Sequence, residues 1–502
     1  MTLVENLIQT GKANKAPAFT DKHAATYLQR GFKALMSADL NEAGACASLI
    51  LKYMPKLHEA HFLVGLIALE TSDWGVARKA FSTVVDLKND HGAAWSQLAR
   101  VNVMTGNYNV AEDALKKAVL HGSDDPLVQD VIGTVYTLMG DQPSALTWFD
   151  KVCSSTKNPM FIQNRAKCLV FLGKFKEARS ALEDVIEMQP ANTQAHWSLS
   201  RLEKVTDQVH IDEMQKLVEK LGKKAPLTSY LYFGLGKEYE DLEMWPEAFC
   251  AYSNGASVRR AQISYDEDAE IETFKALKES FTKEWLKDVA EGCLDRSPIF
   301  IIGQPRTGTT LVERIITARD DVHSAGELQQ MGLAIKGMSG AKQSHMLSAK
   351  TAREAANINV KELGDVYMDT TRSLRSDLPH FVDKLPVNYL YAPLIAAALP
   401  NAKIIHVRRG PMDSCFASYK QFFAEAYFHS YDQEEMARHH LRYLDLMEHY
   451  NILLGERMYE ISYENVVANF EPEARRLINF LGLDWQEASL EFHKQKGAVT
   501  TA

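Results

Sequence analysis

Between residues 24 and 262 the chain alternates small and large apolar positions with a fixed period. Gly31, Gly65, Ala99, Gly133, Ala166, Ser200 and Gly236 follow one another at 34, 34, 34, 33, 34 and 36 residues. Twelve residues after most of them stands an alanine: Ala43, Ala77, Ala111, Ala145, Ala178 and Ala248. Aromatic residues precede the small residue by four at Tyr27 and Trp95, and precede the alanine by three at Trp74, Tyr108, Phe175 and Trp245. Two antiparallel helices approach closely only where side chains are small, and large neighbours then fill the groove to the next pair. The pattern predicts about seven stacked helix pairs. The sixth departs from it: Asp212 holds the alanine's place, and "KVTDQVHIDEMQKLVEKLGKKAP" predicts a reshaped helix and a linker.

From residue 263 to 297 the sequence is helical and charged without a clear repeat. After Pro298 the grammar changes to short apolar runs, "IFIIG", "FVDK", "AKIIHVRR" and "RMYEISYE", separated by helical segments. Buried strands alternating with helices imply a mostly parallel sheet covered on both faces. The chain therefore divides into an N-terminal extension (1–23), the repeats (24–262), a helical linker (263–297) and an α/β domain (298–502).

Composition adds exclusions. With 502 residues, 46% apolar and 24% charged, the chain has room for two or three globular domains. A net charge of -9 and a pI near 6.0 argue against a nucleic-acid binder, so any anion site must be local. Six scattered cysteines with no CxxC pair suggest neither a zinc ribbon nor a disulfide framework. The first residues lack the apolar core of a signal peptide, and no apolar run is long enough to insert in a membrane. The expectation is a cytoplasmic protein.

The chemistry concentrates in "PIFIIGQPRTGTTLVERII", residues 298 to 316. Gly303 to Thr310 fits a phosphate-binding loop with Thr309 where a nucleotide triphosphatase carries lysine. Backbone N–H groups of such a turn and of the helix that follows favour an anion at one spot. Thr307, Thr309 and Thr310 add hydroxyls, and Arg306 supplies a positive charge from inside the loop. A magnesium triphosphate would also want an aspartate at the end of a second strand. The second well-formed strand ends instead in "IIHVRRGP", and an arginine pair, Arg408 and Arg409, binds phosphate rather than metal. The expectation is two separate anion pockets and no metal. A nucleotide with a group on its 5′ end and a lone phosphate on its ribose fits, as in 3′-phosphoadenosine 5′-phosphosulfate.

These residues also carry a resemblance. "FIIGQPRTGTTLVERI", "SAGEL", "VDKLPVNYLYAPLIAAALPNAKIIHVRRGP" and "YEISYENVVANFEPEARRLINFLGLDW", preceded by the 34-residue units, resemble bacterial proteins that join tetratricopeptide repeats to a sulfotransferase domain. They are similar, more distantly, to protein-tyrosine sulfotransferases. The resemblance implies an N-terminal all-α tetratricopeptide-repeat solenoid and a C-terminal α/β, P-loop-like sulfotransferase domain. It also implies 3′-phosphoadenosine 5′-phosphosulfate as donor. Arg306 with Thr307, Gly308, Thr309 and Thr310 would grip the 5′-phosphosulfate. Glu327 would be the general base, with His323 its rival. Lys384 would stabilise the oxygen that leaves with the nucleotide, the competing reading being an ion pair with Asp383. Arg408 and Arg409 would meet the 3′-phosphate, Arg409 by motif register, and Tyr463 would stand near the nucleotide or in the core.

Two departures qualify the match. The family's serine eight residues beyond Arg409 is Ala417 here, with Ser418 adjacent and Ser414 three before it as the alternative ligands, Ser418 taken as the first of the two. Related chains also run on past the closing "KGAVTTA", so the expectation is a shortened tail. The acceptor stays open: a tyrosine of a protein or peptide held in the repeat groove, a saccharide, a lipid or a small molecule. A kinase or triphosphatase and a non-catalytic repeat scaffold are the competing classes, and a spacer or a dimer contact is the lesser reading of the array beside a groove that holds a protein or peptide.

Overall fold

In the computed structural model of this chain, residues 19–122, 124–340, 347–423 and 426–494 are described. Most of the expected N-terminal extension, and the closing segment on which the shortened-tail expectation rests, lie outside them. The chain folds as two compact units, divided between Val135 and Tyr136.

The first unit is a run of antiparallel helices: Asp21–Met36, Leu40–Tyr53, His58–Glu70, Trp74–Leu87, Gly92–Met104 and Tyr108–Gly122. The 34-residue period has a direct steric cause. A Cβ added at Gly65 would lie 2.5 Å from the Phe81 ring, and one at Gly31 would lie 2.6 Å from Leu63 Cδ2. The alanines Ala43, Ala77 and Ala111 are fully buried at the facing positions. The same interval sets the caps, since the side chains of Asp39 and Asp73 accept from the backbone N–H groups of Glu42 and Val76.

The second unit continues with Gln142–Ser155, Pro159–Phe171, Phe175–Met188, Thr193–Ser200, Val209–Leu221, Thr228–Asp241 and Trp245–Arg260. Gly236 repeats the steric rule, with a Cβ meeting the Tyr252 ring at 2.6 Å. The irregular sixth repeat is visible here. Its first helix, Thr193–Ser200, is only eight residues long, and residues 201–208 leave the helical path. In the helix that follows, Ile211, Met214, Leu217 and Val218 face inward, so Asp212 turns to solvent. Two further helices, Glu267–Ser280 and Lys283–Asp288, lead into the sheet.

Five parallel strands make that sheet: β1 (Pro298–Gly303), β2 (Val322–Ser324), β3 (His380–Asp383), β4 (Lys403–Arg408) and β5 (Met458–Ser462), in the order β2-β3-β1-β4-β5. Four were expected from apolar runs; β2, three residues long at the edge, gives no run to read. Every residue of β1 is buried. Alternation sends Ile299 and Ile301 into a core with Val312, Ile315 and Leu477, and Phe300 and Ile302 into an opposite core with Tyr367, Ile395 and Leu446.

The later repeats and the sheet domain are held together within the second unit. The Phe422 ring lies 4.4, 5.4 and 5.6 Å from those of Tyr230, Phe233 and Trp197. Arg260 forks onto Glu435 at 2.8 and 2.9 Å, and Arg442 reaches both Glu267 and Glu270. Aromatic burial and bidentate pairs of this kind hold two surfaces in a fixed relation.

Candidate active site

The loop after β1 is shaped by backbone that ordinary residues avoid. Gly303 and Gly308 have φ of 153° and 98°, and a Cβ on Gly308 would strike the Tyr463 ring at 2.4 Å. Arg306 itself has φ of 66°, a left-handed conformation that costs a non-glycine residue about 1–2 kcal/mol. What over-determines it is the packing beneath: Thr307 Oγ1 donates to the Gln304 carbonyl at 2.8 Å, Ser418 Oγ donates to the Pro305 carbonyl at 3.2 Å, and Ser414 Oγ and His440 Nδ1 both donate to Gln304 Oε1. The helix Thr309–Thr317 begins directly at Gly308, so its first N–H groups, which have no carbonyl within the helix, open onto the same space.

That space is a cavity of about 1500 Å³. On its wall are Arg306, Gly308, Thr309, Thr310, Glu327, Arg409 and Tyr463, all singled out from the sequence. Burial, then the neighbouring charge of Arg409, pushes the Arg306 guanidinium below the usual arginine range. The twin arginines separate. Arg408 pairs with Glu460 at 2.7 Å, which burial does not prevent from sinking to about 2 under hydrogen bonds from His406 and Arg408. Arg409 turns the other way, donating to the Arg306 carbonyl at 3.1 Å and lying 4.8 Å from the centre of the Tyr463 ring, while its buried Nε has no partner. Only Arg409 faces the cavity. Thr307 and Ser418 lie beneath the loop with their hydroxyls bonded to its carbonyls, and Ala417 takes the wall position.

Glu327 and Lys384 come together across 57 residues. Lys384, at the end of β3, is completely buried, and its Nζ donates to Glu327 Oε1 at 2.5 Å. The competing reading, an ion pair between Lys384 and Asp383, is corrected by the strand's alternation. Asp383 points to the opposite face, where it accepts from Tyr367 Oη at 3.0 Å and from the Leu328 N–H at 3.4 Å, and burial raises its carboxyl to about 7. Asp383 also corrects the strand-end comparison. The sheet order places β3, not only β4, beside β1, so an aspartate does end a strand flanking the loop strand. Its carboxylate is turned away into the core and committed to Tyr367. His323, the rival base, sits on β2 with its ring bonded to the Leu374 backbone and does not reach the cavity wall.

Five further residues around the cavity carry no signal in the sequence. Glu313 is buried on the loop helix, accepts from Ser324 Oγ at 2.6 Å, and is pushed up by burial against the pull of Lys384. Tyr427, at φ of 53°, lines the cavity, and burial, with a smaller contribution from Glu327, raises its phenol well above the ordinary range. Glu270, His429 and His439 form a group. His439 Nδ1 lies 2.9 Å from Glu270 Oε1, and burial is outweighed by the two histidines and Arg442, holding that carboxyl at about 2. The two imidazoles stack at 3.5 Å with planes 11° apart, so their in-plane lone pairs cannot meet on one ion. The group is a hydrogen-bonded wall.

Family models match both parts of the chain. Residues 298–487 match the model of the sulfotransferase family, and residues 62–126 and 164–203 match that of the tetratricopeptide repeat. An uncharacterized protein of Aquifex aeolicus is 26% identical over 349 residues, 68% of this chain; the chain spans 46% of that relative's length. A Caenorhabditis briggsae protein named "Putative protein-tyrosine sulfotransferase" is 24% identical over 202 residues, 40% of this chain and 70% of its own. Among solved structures, that of Pseudomonas aeruginosa pilF is 17% identical, covering 45% of this chain and 98% of its own, with a TM-score of 0.35.

Proposed function

Because this chain joins tetratricopeptide repeats to a sulfotransferase-family domain, we propose that it transfers a sulfuryl group from 3′-phosphoadenosine 5′-phosphosulfate to a hydroxyl acceptor. The observation that carries the donor assignment is Arg409, whose buried, unpartnered Nε stands over Tyr463 beside a loop rich in free N–H groups. A buried guanidinium N–H without an acceptor costs free energy that an oxyanion would recover. The residues present fit the nucleotide. Arg306, Gly308, Thr309 and Thr310 would hold its 5′ end and Arg409 its 3′-phosphate. When bound, it would supply an activated sulfuryl group.

Glu327 accepts the proton of the acceptor hydroxyl, and Lys384, donating to one of its oxygens, fixes the carboxylate's orientation. The role that the resemblance implies for Lys384, at the departing oxygen, requires its ammonium to leave Glu327. Arg306 faces the cavity with no acidic partner among the described residues and is placed to neutralise charge as transfer proceeds. Similarity to the protein named "Putative protein-tyrosine sulfotransferase" favours a protein or peptide tyrosine as acceptor, and Gln194, Trp197 and Tyr230 of the array form part of the same cavity wall, from which the repeats could present it. Six free cysteines suit a reducing, cytoplasmic setting, and among the described residues no helix is long and apolar enough to cross a membrane.

The test is transfer of radiolabelled sulfuryl from 3′-phosphoadenosine 5′-phosphosulfate to a panel of tyrosine peptides, simple phenols and hexoses. The wild type is expected to label at least one class. Glu327→Gln should slow labelling about a hundredfold or more. Equal labelling by the two proteins overturns the base assignment, and failure to label any acceptor overturns the reaction.

A further inference from the structure

A third arginine reaches this cavity from the repeats. Arg201 caps the shortened helix Thr193–Ser200 at the point where the chain leaves the helical path, and it shares the cavity wall with Arg306 and Arg409. Its guanidinium carbon lies 4.6 Å from the centre of the Trp197 ring, a cation–π contact. Among the described residues no acid pairs with it. The nearest acid along the chain, Glu203, is paired with Arg179 at 3.0 Å. Arg306 lines the same cavity, so the two guanidiniums face one shared space.

Two like charges on one cavity wall, neither paired with an acid among the described residues, are an arrangement that an anionic ligand completes. Lys167 stands one repeat earlier, 34 residues before Arg201 and on the same wall, so the positive register runs back along the array. An arginine there for packing alone would be expected to find a carboxylate or a carbonyl. This one has no acid partner among the described residues and lines the cavity onto which the loop opens.

We propose that Arg201 is an oxyanion anchor of the catalytic cavity, so that the repeat array supplies a positioning residue for the transfer as well as a route for the acceptor. The anion it takes is either the donor's sulfuryl group or a carboxylate borne by the acceptor. This rests on the sulfotransferase reading for which ligands enter, but not for whether Arg201 binds an oxyanion.

The test compares the full-length wild type with Arg201→Gln and Arg201→Lys by calorimetry. The ligands are 3′-phosphoadenosine 5′-phosphate, the phosphosulfate donor, and 4-hydroxyphenylacetate or 4-methylphenol added to protein saturated with the bisphosphate. Inorganic sulfate is titrated separately without nucleotide. Arg201→Gln is expected to bind the bisphosphate within about twofold of wild type. It should lose about tenfold or more either on the phosphosulfate, which identifies the sulfuryl group, or on 4-hydroxyphenylacetate relative to 4-methylphenol, which identifies an acceptor carboxylate. Arg201→Lys should recover most of that loss. Unchanged binding of every ligand by Arg201→Gln overturns the proposal, as does an equal loss on all of them that lysine does not rescue. A wild type that ignores the bisphosphate yet holds sulfate through Arg201 removes the donor assignment and leaves this inference standing.

Discussion

Replacing Glu327 by glutamine perturbs more than a proton acceptor. Lys384 Nζ has Glu327 Oε1 as its hydrogen-bond partner at 2.5 Å, and the lysine is fully buried while the glutamate side chain is 30% exposed. Removing one partner of a fully buried pair costs about 3–5 kcal/mol, because the charge that stays behind is neither hydrated nor paired. Water at the exposed side of Glu327 reduces that, and an amide oxygen still accepts from the ammonium, so the expected cost is about 2–3 kcal/mol. Glu327→Gln combined with Lys384→Met removes the stranded charge and should recover at least about half of it. Hydrogen exchange read by mass spectrometry on peptides covering residues 380–385 reports this locally, since the Lys384 N–H donates to the Gly326 carbonyl at 2.8 Å. Equal destabilisation in the single and double variants, or a single variant within about 0.5 kcal/mol of wild type, would show that the pair does not hold this edge of the sheet.

Gly308→Ala drives a methyl into the Tyr463 ring and imposes φ of 98° on alanine, so we expect a loss of about 2–4 kcal/mol in calorimetric stability of the second unit. Gly65→Ala should destabilise the first unit by about 1–3 kcal/mol through Phe81, seen as a lowered melting transition; an unchanged one would contradict the steric cause of the 34-residue period. For Asp383, burial raises the folded carboxyl from 3.8 to about 7, so the folded state holds the extra proton between those values and stability falls as pH rises through that window. Asp383→Asn, which keeps a neutral group facing Tyr367, should flatten that fall in urea titrations across the same range; an unaltered slope would assign it to another group.

The repeats were legible because a sterically forced residue recurs: Gly65 against Phe81 and Gly236 against Tyr252 leave no alternative side chain. The loop was legible because its glycines and threonines are local in sequence. What could not be read depends on three-dimensional neighbours. Strand order is invisible in a list of apolar runs, so the sequence does not show that Asp383 ends a strand beside β1. Adjacent arginines look equivalent until the strand ends and sends Arg408 to Glu460 and Arg409 to the loop. Ser418 sits one residue from the expected position, and in a helix one residue is a rotation of about 100°, which places it under the loop with Ala417 on the wall. Arg201 gave no signal because its position depends on a helix that stops after eight residues.

The central claim is that one bisphosphorylated adenosine is held between the threonine-rich loop and Arg409. Calorimetry with 3′-phosphoadenosine 5′-phosphate and with ATP, in the presence of a chelator, tests it most directly on the wild type, Arg408→Ala and Arg409→Ala. The bisphosphate is expected to bind far more tightly than ATP, Arg408→Ala to leave this unchanged, and Arg409→Ala to lose about 1.5–3 kcal/mol, the worth of a hydrogen bond to a charged group. Equal affinity for the two nucleotides, or equal losses at the two arginines, would contradict it.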